Sequence, residues 1–475
     1  MPNEQRTAKL GAAIFVGPTP IHTFAAPGAY VIGLPGGDDI DLTVVTDVAP
    51  APVPAPAPVP ATPAPVPSPV PPPPVVVVGT DPGVKLASGG DFAKALRDLP
   101  ANANLLLQRG GVYKTPAGTT PSLSQDGQGI SWYGDTTLPA PIVISQGDTG
   151  LFASGKRSPL VRGIAFVSLL HRATGIILRD VSNATIERCE IGGFSEGMSV
   201  EGVNSRCSGV TIQYNRIHDN CDPVDNKAQG LFVGKTDGLQ VNNNVFCTNG
   251  WGQGVAKPNI YSHNIYVHQY CGPSRIVGNI IADASSHGVQ ARSGGSITGN
   301  VFLNNPVHLS YGLVNGTGST FPGATGEISG NVFVGGRDID GSPRGWGAEI
   351  ANTKAVKVFG NLWAHDQQGS PCIQLKPCRA DDNSHAVGIF NLTFSGNYVW
   401  DWKGGAFAEQ GTRQTSTGNT STTALAPQAS WIPPKQPDLR ALINMAIVRN
   451  LLKSVPDHAA ADLIAACRSA CGNTN

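Results

Sequence analysis

Residues 262–302 read SHNIYVHQYCGPSRIVGNIIADASSHGVQARSGGSITGNVF, and one pattern occurs in them twice. His263-Asn264-Ile265-Tyr266-Val267-His268 precedes Arg275-Ile276-Val277-Gly278-Asn279-Ile280, and His287-Gly288-Val289-Gln290-Ala291-Arg292 precedes Ser296-Ile297-Thr298-Gly299-Asn300-Val301. Each copy is a short alternating strand, a small turn, a second short strand, and an asparagine ahead of an apolar residue. Strict apolar/polar alternation is the period of a strand, not of a helix.

The second half of the pattern recurs through the chain as ATIERCEI, VTIQYNRI, LQVNNNVF, SRIVGNII, GSITGNVF, GEISGNVF, VKVFGNLW and LTFSGNYV. Its aligned positions are Cys189, Asn215, Asn244, Asn279, Asn300, Asn331, Asn361 and Asn397, at separations of 26, 29, 35, 21, 31, 30 and 36 residues. A fixed motif at variable spacing is expected of solenoid coils with insertions in their loops. Two reasons favour asparagine in such a column: it tolerates the left-handed conformation of a sharp bend, and amides stacked on successive coils can hydrogen-bond as a ladder.

These motifs, with the opening LLLQRGGVYKT and YGDTTLPAPIVIS, resemble the right-handed parallel β-helix proteins of the pectate-lyase-like superfamily over residues 84–410. The resemblance implies an all-β, single-stranded parallel β-helix. The group includes polysaccharide lyases, some glycoside hydrolases and phage tailspike depolymerases, so fold alone does not choose an activity.

The rest of the chain is organised around this body. Residues 1–46 form a small β module with Pro-Gly and Gly-Gly turns, too small to be secure alone; a partner or a homotrimer would complete its core. Residues 47–78 carry proline at nearly every second position, which removes backbone donors and fixes φ. An extended polyproline II spacer is expected, roughly 75–80 Å long for Pro50–Pro74 at ~3.1 Å per residue. DFAKALRDLP, with Asp91 as N-cap, predicts a short helix capping the solenoid. After residue 410 a polar stretch leads to two amphipathic helices, 438–455 and 457–471, which suit either a cap on the far end or an oligomer contact.

Lys+Arg and Asp+Glu both number 33, so the chain has no basic excess for nucleic acid or membrane surfaces. No apolar run approaches the length of a membrane span. Leu10–Val16 is a short apolar run after Arg6 and Lys9, a poor match to a secretory signal. The nine cysteines include no CxxC pair, so no zinc site or other cofactor is implied. Cys372 with Cys378 and Cys467 with Cys471 are near enough in sequence to pair; Cys189 fits a buried apolar position.

Equivalent residues on successive coils lie ~4.8 Å apart, so the first strands can be stacked into a wall. Inward pairs Ile176/Leu178, Met198/Val200, Leu231/Val233, Ile265/Val267, Val289/Ala291, Val307/Leu309, Ala348/Ile350 and Ile373/Leu375 set the register. Two outward columns follow: Ile177, Ser199, Phe232, Tyr266, Gln290, His308, Glu349, Gln374, and Arg179, Glu201, Gly234, His268, Arg292, Ser310, Ala351, Lys376. Such a face suits a polysaccharide. Phe232 and Tyr266 can stack on sugar rings, and Gln290, Glu349, Gln374 and Lys376 can bind hydroxyls and charges.

Hydrolysis needs two carboxylates roughly 5–9.5 Å apart. Glu201 and Glu349 fall five coils apart, about 24 Å by strand spacing, so hydrolysis would depend on Asp338 or Asp340 in a loop. Asp222 and Asp225 fit turns better. Elimination beside a uronic carboxylate needs a base, a cation and an acid; His268, Arg292 and Tyr266 fit these roles, with His308 as an alternative base. No acidic cluster forms a calcium site. His263 and His287, at the strand starts, are assigned to corner hydrogen bonds. Cleavage of an acidic polysaccharide by β-elimination is expected, with hydrolysis or plain glycan binding as alternatives. Head, spacer and β-helix together resemble a virion or cell-surface appendage attached through residues 1–46.

Overall fold

The computed structural model describes residues 82–224, 227–313, 323–364, 371–376 and most of 389–402, with further short strands between 6 and 45 and between 407 and 422. The proline-rich segment, the two C-terminal amphipathic segments, Asp225, Cys378, Cys467 and Cys471 lie outside the described residues. The chain divides into two compact units, Met1–Gly79 and Thr80–Asn475. In the first, Ile40–Val45 pairs parallel with Arg6–Lys9 and antiparallel with Gly28–Ile32, and Ala13–Ile14 pairs with His22–Thr23.

The second unit is a parallel β-helix. Successive strands pass in rotation to three parallel sheets of 13, 12 and 11 strands among the described residues. The first sheet stacks Leu105, Ile130, Val161, Ile186, Ile212, Val241, Ile276, Ile297, Ile328, Val358 and Phe394 in one buried inward column. The second stacks Phe246, Ile281, Phe302, Phe333 and Trp363. There Phe302 and Phe333 lie 4.6 Å apart at 14°, and Phe333 and Trp363 lie 3.8 Å apart at 4°. Phe333 packs between two rings with no space to collapse, so Phe333→Ala should cost about 3–5 kcal/mol, read as a lower denaturation midpoint with an unchanged denaturant slope.

Phe92–Arg97 is the expected capping helix: the Asp91 side chain accepts from the Lys94 amide at 2.9 Å, while Phe92 and Leu96 are fully buried in the core. At the other end, Gln414–Thr417 and Thr420–Thr422 join the first and second sheets, so the solenoid runs past residue 410.

The asparagine column is a hydrogen-bonded ladder. Each Nδ2 donates to the next Oδ1, from Asn215 through Asn244, Asn279, Asn300, Asn331, Asn361 and Asn397 to Asn419, at 2.8–3.0 Å. The bend itself is made one residue earlier. Arg188, Tyr214, Asn243, Gly278, Gly299, Gly330, Gly360, Gly396 and Gly418 have φ between 54° and 68°, whereas the ladder residues are not left-handed. So asparagine is present for its amide, and the preceding residue carries the backbone strain. A second, shorter ladder at another corner links Asn220, Asn249 and Asn264.

Cys372 is a fully buried free thiol that burial holds well above its ordinary pKa, and Cys378, near enough in sequence to pair with it, lies outside the described residues. Cys189 is buried at the head of the ladder, its backbone N–H held by the Asn215 side chain at 2.9 Å.

Candidate functional site

The third sheet carries the wall, and its register fixes the columns. Ser199, Phe232, Tyr266, Gln290, Ser310, Glu349 and Gln374 are in register. This differs from the expected column at one coil. Val289 pairs with Leu309 and Ala291 with Tyr311, so the strand Val307–Tyr311 sits two residues from the register set by Val307/Leu309. Ser310 therefore takes the place assigned to His308, and Gly312 the place assigned to Ser310.

His308 consequently leaves the outer face. It is fully buried, with Nε2 on the Gly335 carbonyl at 2.7 Å and Nδ1 against the Asn305 amide at 3.2 Å, beside the rings of Phe302 and Phe333. Gly288 and Gly347 are its neighbours in register on adjacent coils. His308 is a corner residue and is unavailable as a base.

The side chains at the strand starts form a third outward column, because alternation breaks at the corner. Gln229 pairs with His263, and Leu231, two places on, with Ile265. Asn264 turns inward to the second ladder, which leaves His263 outward despite its inward parity. Glu196, Gln229, His263, His287, Val307 and Trp346 occupy this column and border a cleft of about 750 Å³, shared with Phe232, Tyr266, Gln290, Arg292, Glu349 and Lys376.

Inside the cleft the groups are mutually organised. Glu349, 3 % exposed, accepts on Oε1 from His287 Nε2 at 3.2 Å and on Oε2 from the Lys376 ammonium. Burial opposes ionisation of Glu349, but His287 and Lys376 overcome it and bring its pKa down to about 2. Its share of stability is thus complete above the ordinary 4.5 and is lost as pH falls toward about 2. Glu349→Gln should flatten the pH dependence of the melting temperature across that acid range.

Glu349 accepts only, so His287 donates to it from Nε2. The Nδ1 of His287 meets the Ser286 hydroxyl at 2.8 Å and His263 Nδ1 at 3.2 Å. Burial, with the charges of His287 and Arg292, keeps His263 well below its ordinary pKa, hence neutral.

Tyr266 meets His263 edge-on at 5.4 Å, and the Arg292 guanidinium lies 5.1 Å over the Tyr266 ring. Burial raises the Tyr266 phenol, so it carries its proton. Arg292 Nε and Gln290 Oε1 are buried without a hydrogen-bond partner among the described residues. Polar atoms desolvated in this way are costly unless a ligand completes them. Trp346 is flanked by Arg344 at 5.2 Å and Lys376 at 4.4 Å. Phe232 contacts Tyr266 edge-on at 5.5 Å. At the opposite end Glu196 is buried enough that its carboxyl is raised to about 8.

Of the expected residues, the cleft gathers Phe232, Tyr266, Gln290, Arg292, Glu349 and Lys376. Gln374 stands beside Glu349 outside the lining, and His268 packs on Tyr270 at 4.9 Å, also outside it. His263, His287 and Trp346 replace them. Asp338 accepts from the Arg344 amide at 3.0 Å within its own loop and, like Asp340, does not line the cleft. No group of three or more metal-ligating side chains occurs among the described residues, and no helix among them is long and apolar enough to cross a membrane.

Residues 123–257 match the family model described as right handed beta helix region, which supplies the handedness of the solenoid. No curated protein matches the chain by sequence. Among solved structures, the chain is similar to a GH87 alpha-1,3-glucanase catalytic unit from Streptomyces thermodiastaticus strain HF3-3, with 14% identity, 72% of this chain and 70% of that chain covered, and a TM-score of 0.47. It is similar to PfbA, a surface adhesin of Streptococcus pneumoniae, with 10% identity, 72% and 90% covered, and a TM-score of 0.45. It is also similar to an alginate lyase from Paenibacillus sp. str. FPU-7, with 13% identity, 72% and 96% covered, and a TM-score of 0.35. Identities this low carry no activity from those proteins to this one.

Proposed function

We propose that this β-helix binds an acidic polysaccharide along the cleft of its third sheet and cleaves it by β-elimination beside a uronic carboxylate. The observation that carries this reading is one cluster: a neutral His263, a protonated Tyr266 and an Arg292 guanidinium with an unsatisfied Nε, in a single open cleft. With Glu196 protonated and Glu349 neutralised by Lys376, the remaining cations Lys227, Arg292 and Arg344 outnumber Glu201 along the lining. The cleft thus favours an anionic chain.

In this mechanism Arg292 pairs with the substrate carboxylate and stabilises the negative charge that develops on it. The His263 imidazole takes the proton from the carbon bearing that carboxylate. The C–H electrons form the ring double bond, the bond to the glycosidic oxygen breaks, and the Tyr266 hydroxyl protonates that oxygen. The buried Glu349 carboxylate, held by His287 and Lys376, offsets the charge of the imidazolium formed on His263. Phe232 and Trp346 supply apolar faces for neighbouring sugars.

Hydrolysis is disfavoured because both Glu349 oxygens are engaged and the remaining lining acids, Glu196 and Glu201, lie on one strand five coils away. Incubation with a panel of acidic polysaccharides separates the readings. Ultraviolet absorbance from unsaturated uronates is expected; new reducing ends without it would mean hydrolysis, and binding without new ends would mean a glycan-binding adhesin.

The pH profile is a further test. His263 stays unprotonated into acid, whereas Glu196 ionises near 8 and adds a negative charge to the cleft. KM for an anionic chain should rise through that range, and Glu196→Gln should remove the rise.

The small β module and the proline-rich spacer support an appendage role in which residues 1–46 attach the body to a virion or cell surface, as a homotrimer or with a partner. Deleting residues 1–46 should abolish attachment and leave cleavage by the body intact.

A further inference from the structure

The third sheet continues beyond the cleft. The lining ends on the strand Glu196–Glu201, and the strands Thr174–Arg179 and Leu151–Ser154 follow it outward in register. Phe152 and Ile177, both half-buried, prolong the column of Ser199, Phe232, Tyr266 and Gln290. Arg179 stands two residues after Ile177, as Arg292 stands two residues after Gln290.

Arg179 repeats the setting of Arg292. The Arg292 guanidinium lies 5.1 Å over the ring of Tyr266, which is in register with Gln290 on the preceding coil. The Arg179 guanidinium lies 5.5 Å over the ring of Phe152, which is in register with Ile177 on the preceding coil. In both arginines Nε is buried without a hydrogen-bond partner among the described residues. Glu201 is the neighbour of Arg179 in register, yet the two form no ion pair. They lean apart: Arg179 lies toward Phe152, and Glu201 leans toward Gly234 on the following coil, where a methyl group placed on the glycine would lie 3.4 Å from Glu201 Cγ. A guanidinium stacked on a ring and turned from the adjacent carboxylate is left for an anionic ligand.

We propose that Arg179 is a second carboxylate-binding site on this wall, and that the cleft and the coils of Phe152 and Arg179 together hold one acidic chain. This rests on the reading of the cleft as a site for an acidic polysaccharide, and it adds the length of chain that the wall engages. The two arginines are four strand spacings apart, about 19 Å in all. Stacking on the ring orders each guanidinium in advance, so less conformational freedom is lost when a carboxylate pairs with it. Phe152 and Ile177 offer apolar faces to sugar rings, and Glu201, between the two cations, accepts from sugar hydroxyls.

The test is calorimetric binding of size-graded galacturonate and mannuronate oligomers to the full chain carrying His263→Ala, in which the oligomers stay intact. Affinity should step up by about tenfold or more at the length that first reaches both guanidinia. Adding Arg179→Gln should remove the step while leaving the binding of short oligomers and the melting temperature nearly unchanged. Adding Arg292→Gln should weaken binding at every length. If Arg292→Gln does so, then an affinity without a step, a step that survives Arg179→Gln, or a loss in Arg179→Gln that is equal at all lengths would overturn the second site alone. Failure of every oligomer to bind, or binding indifferent to Arg292→Gln, would overturn the second site and the reading of the cleft together.

Discussion

Replacing His263 by alanine is expected to lower turnover of an acidic polysaccharide about 10²–10⁴-fold, the range for losing a positioned general base, with KM little changed. The fold should survive, because the ring lines a cleft and the corner is held by Asn264 rather than His263. The comparison with two other histidines makes the result specific. His268→Ala should lower turnover far less, since that ring lies tilted against Tyr270 and Tyr266 and does not line the cleft. His308→Ala should instead lower stability, because it removes both a bond to Gly335 and a side chain packed on Phe302 and Phe333. Single-turnover rates and melting curves on the three variants check this directly. Equal losses of turnover in the His263 and His268 variants would break the assignment.

Asn300→Ala is expected to destabilise the solenoid by about 3–6 kcal/mol, several buried polar groups at ~1–3 kcal/mol each. The Asn300 carbonyl accepts from the Asn279 backbone N–H at 2.8 Å and from Asn279 Nδ2 at 2.9 Å; its own amide donates to Ile276 O at 2.8 Å and Asn331 Oδ1 at 3.0 Å. None of these partners can reach water from the core, so removal of the amide strands them. Asn300→Gly should be no better, because the left-handed residue is Gly299. Chemical denaturation of both variants decides whether the column exists for its amides or for its backbone conformation.

The ladder shows how far the sequence could be read. Eight aligned motif positions made the coil and the stacked amides legible, since both depend on side-chain type at fixed spacing. The left-handed bend went to the wrong residue because Asn and the Gly before it are each tolerant of positive φ, and only geometry separates them. The wall register held wherever a strand has two apolar inward residues and polar flanks. It slipped at Val307–Tyr311, where Val307, Leu309 and Tyr311 alternate equally well in two registers two residues apart. Tyr311 takes the inward place because its hydroxyl reaches the carbonyls of Gly295 at 2.7 Å and Thr325 at 2.9 Å. That slip put His308 in the column place that Ser310 occupies. His263 and His287 were set aside as corner hydrogen-bonding residues at the strand starts, and the break in alternation that turns them outward has no signature in a single strand. Glu349, Lys376, Tyr266 and Arg292 were found because they lie on regular parts of their strands.

The account stands most directly on where a uronate lies. A crystal structure of the His263→Ala variant with an acidic oligosaccharide would show it. The predicted result is a sugar carboxylate on the Arg292 guanidinium, with the adjacent C–H aimed at the space vacated by the imidazole and the glycosidic oxygen at Tyr266. An oligosaccharide bound on another face, or one in the cleft whose carboxylates all avoid Arg292, would contradict it.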